Sequence, residues 1–130
     1  MEGKSGKLLA AGLAFALWGG WALLANWQAG VRPALMAGLL QGAMSFLVTL
    51  LMASAVIWQV RRLRRPAGKI LVPTLLTVSV TGSLLYLLHT LSGTPGVWRT
   101  IVPPTTVAFF YCLLLSVESQ RQASIPDQPG

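Results

Sequence analysis

The sequence predicts an all-α fold, an integral membrane bundle of four transmembrane helices with both termini in the cytoplasm. Hydrophobic residues fill 54% of its 130 positions and charged residues only 10%, against roughly 25% charged in an average soluble domain. An α-helix needs about 20 residues to cross a bilayer, and the sequence contains four separate apolar runs of about that length. Because the basic residues lie almost entirely between these runs, the high positive charge indicates a membrane protein and no nucleic-acid partner.

The apolar runs define a transmembrane domain, residues 1–117, with helices at about 8–26, 34–58, 70–91 and 101–117. Trp21 and Trp27 mark the far boundary of the first helix, because tryptophan favours the bilayer interface. Pro33 suits the first turn of the second helix, where its missing N–H would be unpaired anyway. The third helix ends near the breaker cluster "SGTPG", and the fourth begins with the pair Pro103 and Pro104.

The two ends of the chain carry further expectations. Lys4 and Lys7 precede the first apolar run, as they would in a signal peptide. That run is longer than a usual signal core and no clean A-x-A site follows it, which argues against cleavage of about residues 1–25. Residues 118–130 are polar, contain prolines and show no periodicity, so we expect a disordered cytoplasmic tail.

The stretch "QVRRLRRPAGK" holds five of the ten basic residues, namely Arg61, Arg62, Arg64, Arg65 and Lys69. Eight of the ten lie at the termini or in this second loop, and only Arg32 and Arg99 lie in the other two loops. Positive residues collect on the cytoplasmic side, so the split predicts an N-in, C-in protein of a bacterial inner (plasma) membrane. We expect the cluster to be a topological anchor on anionic lipid headgroups. Specific binding of a phosphoinositide-like lipid, a nucleic acid or an acidic protein is the alternative.

Small residues recur every four positions in the first two predicted helices, at Gly12, Ala16 and Gly20 and at Ala34, Gly38 and Gly42. Helices in lipid associate through close backbone approach, which such residues permit. We therefore expect these two ridges to pack the first two helices against each other. The alternative is that one ridge faces another subunit.

A polar stripe follows the second helix at Gln41, Ser45 and Thr49. The Gln41 amide has more hydrogen-bonding capacity than its own helix can satisfy, so it should face the bundle interior or a neighbouring subunit. Either interhelical bonding or contact with a substrate would use it.

One histidine lies near the outer end of the third helix. His89, with Tyr86, Trp98 and Arg99, could line a small site in the outer leaflet. A contact with lipid headgroups is the alternative for a lone histidine at an interface.

The inventory of reactive groups argues against an enzyme. No Asp or Glu occurs between Lys7 and Val117, and Cys112 is the one cysteine, so we expect no catalytic residues, no metal site and no cofactor. Small multidrug transporters have a similar size and four-helix layout but depend on a membrane-embedded Glu, and this chain departs from that pattern. In layout only, without a matching motif, the chain is similar to the GtrA-like proteins, which are proposed to help move lipid-linked sugars.

These observations lead to two functional hypotheses. In the first, the protein is a non-enzymatic accessory or scaffold subunit that presents its glycine ridges and Gln41 to a larger membrane partner or to a second copy of itself. In the second, it is a small homodimeric carrier or flippase for a lipid-linked or amphipathic substrate. Polar stripes on the second and third helices would line the route, and Arg99 and His89 would meet an anionic headgroup outside.

Overall fold

A computed structural model describes residues 4–124, and this part of the chain is all-helical. The helices are α1 (Lys4–Ala25), α2 (Val31–Arg62), α3 (Pro66–Leu91) and α4 (Val97–Ser124), with a short 3-10 helix at Trp27–Ala29. Each of the four α-helices is long and apolar enough to cross a membrane. The predicted all-α fold with four such helices is confirmed for the described residues.

The helices extend beyond the apolar runs from which they were predicted, because charged residues at helix ends do not interrupt backbone hydrogen bonding. The largest difference is at α4, which continues through Ser124. Glu118 contacts Arg121 at 3.9 Å and Gln122 at 3.3 Å, which are the i,i+3 and i,i+4 pairs that support an exposed helix. The predicted disorder is therefore wrong for residues 118–124, and residues 125–130 lie outside the described part of the chain.

Successive helices run antiparallel. Gln41 and Gln59 of α2 hydrogen-bond to His89 and Thr77 of α3 respectively, so residue numbers rise along one helix as they fall along the other. One end of the bundle, called here the cationic end, therefore carries Lys7, the Arg61–Lys69 segment and Arg121. The opposite end, called here the distal end, carries the 3-10 helix and the α3–α4 loop at residues 92–96.

Glycine contacts hold α1 against α2. A Cβ atom added to Gly19 would lie 2.9 Å from the Gly38 carbonyl oxygen and 3.3 Å from the Gly42 Cα. A Cβ added to Gly38 would lie 3.0 Å from the Gly19 carbonyl oxygen. Ala34, Gly38 and Gly42 are all buried, as the predicted role of the α2 ridge requires. The two backbones approach so closely that only glycine fits at their crossing.

The predicted ridge on α1 does not make this contact. Neither Gly12 nor Gly20 has a neighbouring atom within 4 Å of an added Cβ, and Ala16 is exposed. Internal packing through these three residues was therefore the wrong expectation. The face of α1 that packs inward carries the buried residues Ala11, Gly19 and Ala22. Small residues lie on both the inward and the outward face of α1, because adjacent residues such as Gly19 and Gly20 point about 100° apart around the helix. The four-residue spacing of small residues therefore does not tell which face packs against α2.

An apolar cluster occupies the half of the bundle nearer the cationic end. Its buried members are Met52, Val56 and Val60 of α2 and Cys112 of α4. Val78 of α3 also packs against it, so the cluster joins three helices. On the distal side of the cluster lie the buried polar residues Gln41 and Ser45, beside a cavity.

Candidate functional site

The C-terminal cap of α3 positions a polar network at the distal end. Gly93 has a φ of 77°, a left-handed conformation that glycine adopts without steric cost. The Thr94 N–H donates to the His89 carbonyl at 2.9 Å, and the Gly93 N–H donates to the Thr90 carbonyl at 3.2 Å. This pair of bonds is a Schellman motif, which satisfies the last carbonyls of the helix. It also turns the chain so that Thr94 meets the His89 side chain.

His89 is fully buried and hydrogen-bonded at both ring nitrogens. Its Nδ1 lies 2.7 Å from the Thr94 hydroxyl, and its Nε2 lies 2.9 Å from Gln41 Oε1. Gln41 Nε2 donates to the Ser45 hydroxyl at 3.2 Å. With the amide in this orientation, His89 Nε2–H donates to Gln41 and Nδ1 accepts from Thr94. A contact between His89 and lipid headgroups was therefore the wrong alternative, because the ring faces the bundle interior.

The structure brings two members of the expected outer-leaflet site, Tyr86 and Trp98, together but keeps them apart from His89. Tyr86 lies on another face of α3, where its ring is 5.1 Å from the Trp98 ring, and both side chains are exposed. The Arg99 side chain is also exposed and lies beside Gly96. Tyr86 and Trp98 line one surface cavity, but His89 and Arg99 do not, so the expected site of four residues is not formed. His89 instead joins the polar stripe of α2.

A cavity of about 250 Å³ lies in the middle of the bundle, on the cationic side of this network. The predicted stripe of Gln41, Ser45 and Thr49 lines it. Residues from α3 and α4 add further polar groups, namely Thr81, Thr105 and Tyr111. The rest of the wall is mainly apolar, so the cavity combines a hydrophobic interior with hydroxyl and amide groups. This composition is the usual one for sites that bind small molecules.

The cavity is closed at both ends and open at one side. Gln41 and Leu85 bound it toward the distal end, and Met52 of the apolar cluster bounds it toward the cationic end. Its exposed lining residues are Ala10 of α1 and Val107 and Tyr111 of α4. The opening therefore lies between α1 and α4, on the surface that would face lipid in a membrane.

Two sets of hydrogen bonds close the α1–α4 interface at the distal end. The buried Asn26 side chain donates to the Thr100 hydroxyl at 2.7 Å and accepts from the Gly96 N–H at 2.8 Å. The Trp21 indole N–H donates to the Arg99 carbonyl at 2.8 Å. Pro103 lacks the N–H that would normally bond this carbonyl, so Trp21 supplies the missing donor. Trp21, predicted to mark the bilayer interface, thus also ties α1 to α4.

We expect Trp21→Phe to destabilise the protein by about 1 kcal/mol, because the Arg99 carbonyl loses its donor. The cost should fall to less than half in a Pro103→Ala background, where residue 103 regains an N–H that can bond this carbonyl. Reversible unfolding in mixed detergent micelles, followed by circular dichroism, would measure both costs. Trp27→Phe is the matched control, since the exposed Trp27 side chain makes none of these bonds. An equal cost of Trp21→Phe in both backgrounds would contradict the assignment.

Sequence reasoning missed the α4 side of the cavity. Thr105 follows the proline pair directly, and its hydroxyl is buried without a hydrogen-bond partner. Tyr111 was absent from the predicted site as well, although an aromatic hydroxyl within an apolar run is an available signal. The cationic segment forms no part of the cavity: Arg61, Arg64 and Arg65 are exposed.

Arg62 lies 5.1 Å from the centroid of the Trp58 ring, in a cation–π contact at the cationic end. Lys69 is partly buried near the start of α3. The charge cluster and the cavity are thus separate features of the bundle.

No family model, no curated protein and no solved structure matches this chain.

Proposed function

We propose that the protein is a non-enzymatic membrane carrier that holds an amphipathic, lipid-like molecule in its central cavity. One observation carries the proposal: Gln41, Ser45 and Thr49 line a cavity of about 250 Å³ within a bundle of apolar helices. Gln41 bonds to His89 of α3, but Thr49 is only partly buried in the cavity wall, so the joining of helices does not account for the whole stripe. This volume is close to the lower end of the roughly 300–1,000 Å³ typical of ligand pockets.

The lateral opening supports a ligand that arrives from the bilayer. The wall of the opening includes Ala10, Val107 and Tyr111, and it leads from the lipid-facing surface to the polar stripe. A hydrocarbon chain can enter there without crossing water. A tyrosine at the rim offers an apolar ring and a hydroxyl to a molecule that has both kinds of surface.

The proposed setting is a bacterial inner membrane with the cationic end in the cytoplasm. Eight of the ten basic residues lie at that end, which is the bias expected of cytoplasmic loops. In this orientation the exposed arginines Arg61, Arg64 and Arg65 contact anionic headgroups, and the cavity lies near the middle of the bilayer.

Filling the cavity tests the proposal. Ala108 lines the cavity without a side-chain hydrogen bond, so Ala108→Phe should occupy the space and leave the polar network intact. We expect native mass spectrometry of gently extracted wild-type protein to show one retained lipid-like molecule per chain, and Ala108→Phe to lose it. Ala55→Phe on the exposed face of α2 is the matched control and should keep it. Absence of a retained molecule in the wild type, or equal retention in Ala108→Phe, would contradict the proposal.

A second candidate is an accessory subunit of a larger membrane assembly. The observation that favours it is the outward ridge of α1, where Gly12 and Gly20 have no neighbouring atom within 4 Å of an added Cβ and Ala16 is exposed. A helix of a partner, or of a second copy, can approach such a ridge closely. Gly12→Leu should then remove any protein retained in fixed stoichiometry while leaving the monomer folded. Retention of that protein by Gly12→Leu would exclude this ridge as the interface.

A further inference from the structure

The cavity wall provides hydrogen-bonding groups but no charge. Its polar residues are amides and hydroxyls, and no carboxylate, lysine, arginine or histidine is among the described residues that line it. His89 lies behind Gln41 and is bonded on both ring nitrogens. Burial of a charged group away from water is very costly unless an opposite charge accompanies it. A phosphate or carboxylate would find no such partner in this cavity.

Several of the lining groups still have hydrogen-bonding capacity. Ser45 accepts from Gln41, which leaves its own O–H to donate. Gln41 is fully buried and bonded to both Ser45 and His89, so it holds Ser45 in place and is not itself open to the cavity. The Thr105 hydroxyl is buried with no partner at all. The Thr105 residue as a whole is only partly buried and lines the cavity, so rotation of its side chain can present this unpaired hydroxyl to a molecule inside.

We infer that this cavity binds a neutral lipid through uncharged hydroxyl or carbonyl oxygens, as found in an acylglycerol, and excludes the phosphorylated or carboxylated form. The inference rests on the proposed carrier function and specifies its substrate class. Neutral oxygens accept from Ser45 and Thr105 without bringing a charge into the bundle. The hydrocarbon chain lies along the apolar wall and leaves through the opening between α1 and α4, because the cavity is too small to hold a whole lipid.

A matched pair of lipids tests this substrate class. Monooleoylglycerol and oleoyl lysophosphatidic acid share the glycerol and the acyl chain and differ by one phosphate group. Each would be added to delipidated full-length protein in micelles, and the bound fraction measured by native mass spectrometry. We expect the neutral lipid to bind at least about tenfold more tightly, because the phosphate has no counter-charge in the cavity. Ala108→Phe should abolish the binding.

A conservative variant tests the hydrogen bond itself. Thr105→Val keeps the shape of the side chain and removes the hydroxyl, so we expect about a three- to tenfold weaker affinity for monooleoylglycerol. Thr106→Val is the control, because the exposed Thr106 hydroxyl bonds to the Val102 carbonyl at 2.8 Å and does not line the cavity. Equal effects of the two variants would overturn the role given to Thr105.

The results of these binding experiments distinguish a failure of the neutral-lipid inference from a failure of the carrier proposal. Equal or tighter binding of the lysophosphatidic acid, still abolished by Ala108→Phe, would overturn the neutral-lipid inference and leave the carrier proposal standing. Failure of both lipids to bind, together with no retained molecule in the native protein, would overturn both. Binding of either lipid that Ala108→Phe leaves unchanged would place it outside the cavity and would also overturn both.

Discussion

Replacing Gly19 by leucine is expected to destabilise the bundle by about 3 kcal/mol or more, the upper range of overpacking costs. The reason is that an added Cβ would lie 2.9 Å from the Gly38 carbonyl oxygen, which belongs to the backbone and cannot rotate away. α1 and α2 must then separate along their length. Unfolding in mixed detergent micelles, followed by circular dichroism, would measure the loss, and Gly38→Leu should produce a similar one through its 3.0 Å approach to the Gly19 carbonyl.

Gly12→Leu provides the matched control for this prediction. It places the same substitution on the same helix, at a glycine with no neighbouring atom within 4 Å of an added Cβ. Its effect on the stability of the monomer should stay within about 0.5 kcal/mol, as for most surface substitutions. Equal losses for Gly12→Leu and Gly19→Leu would contradict the observed crossing of α1 and α2. They would favour the ridge that the spacing first suggested.

The glycine contacts show what a sequence determines about packing in a membrane bundle. Composition and run length were enough to predict four apolar helices, because those properties follow from the solvent rather than from particular neighbours. The α2 ridge was also found, since the two glycines of α2, Gly38 and Gly42, lie four residues apart on one face. On α1, Gly19 and Gly20 are adjacent, so the inward face depends on contacts with α2 that spacing does not encode.

The sequence predicted one side of the polar site, Gln41, but not the residue that bonds to it. Gln41 had to find a partner because an unpaired amide in hydrocarbon is costly, and it was assigned to the bundle interior on that ground. Its partner was not foreseen. His89 lies 48 positions away along the chain, and its inward orientation depends on how α3 rotates against α2. The Gly93 cap then brings Thr94 to the second ring nitrogen, a detail of turn geometry that the cluster "SGTPG" only suggests.

The proline pair in α4 was read only as the start of a helix. In the structure both residues lie inside α4, which begins at Val97. Each removes one N–H from the helix, and the carbonyl released by Pro103 becomes the acceptor for Trp21. Pro104 lines the cavity beside Thr105. A local break in hydrogen bonding thus contributes both to the closed distal end of the α1–α4 interface and to the wall of the site.

The second large effect is expected where His89 meets Gln41. Gln41→Leu should cost about 2 kcal/mol, because it leaves the buried His89 Nε2–H without an acceptor, and His89→Leu should cost a similar amount by leaving Gln41 Oε1 without a donor. The double variant removes both polar groups together, so its cost should be smaller than the sum of the two by about 1 kcal/mol or more. Both costs can be measured by unfolding in mixed micelles.

The control for this coupling is Thr49→Val, which alters the same polar stripe about two turns further along α2. Thr49 makes no hydrogen bond to His89, so the costs of Thr49→Val and His89→Leu should add. Additive costs for Gln41→Leu and His89→Leu as well would show that the 2.9 Å contact contributes no coupling. Gln41 would then be held by Ser45 alone, and the position of the Ser45 hydroxyl in the cavity wall would not depend on His89.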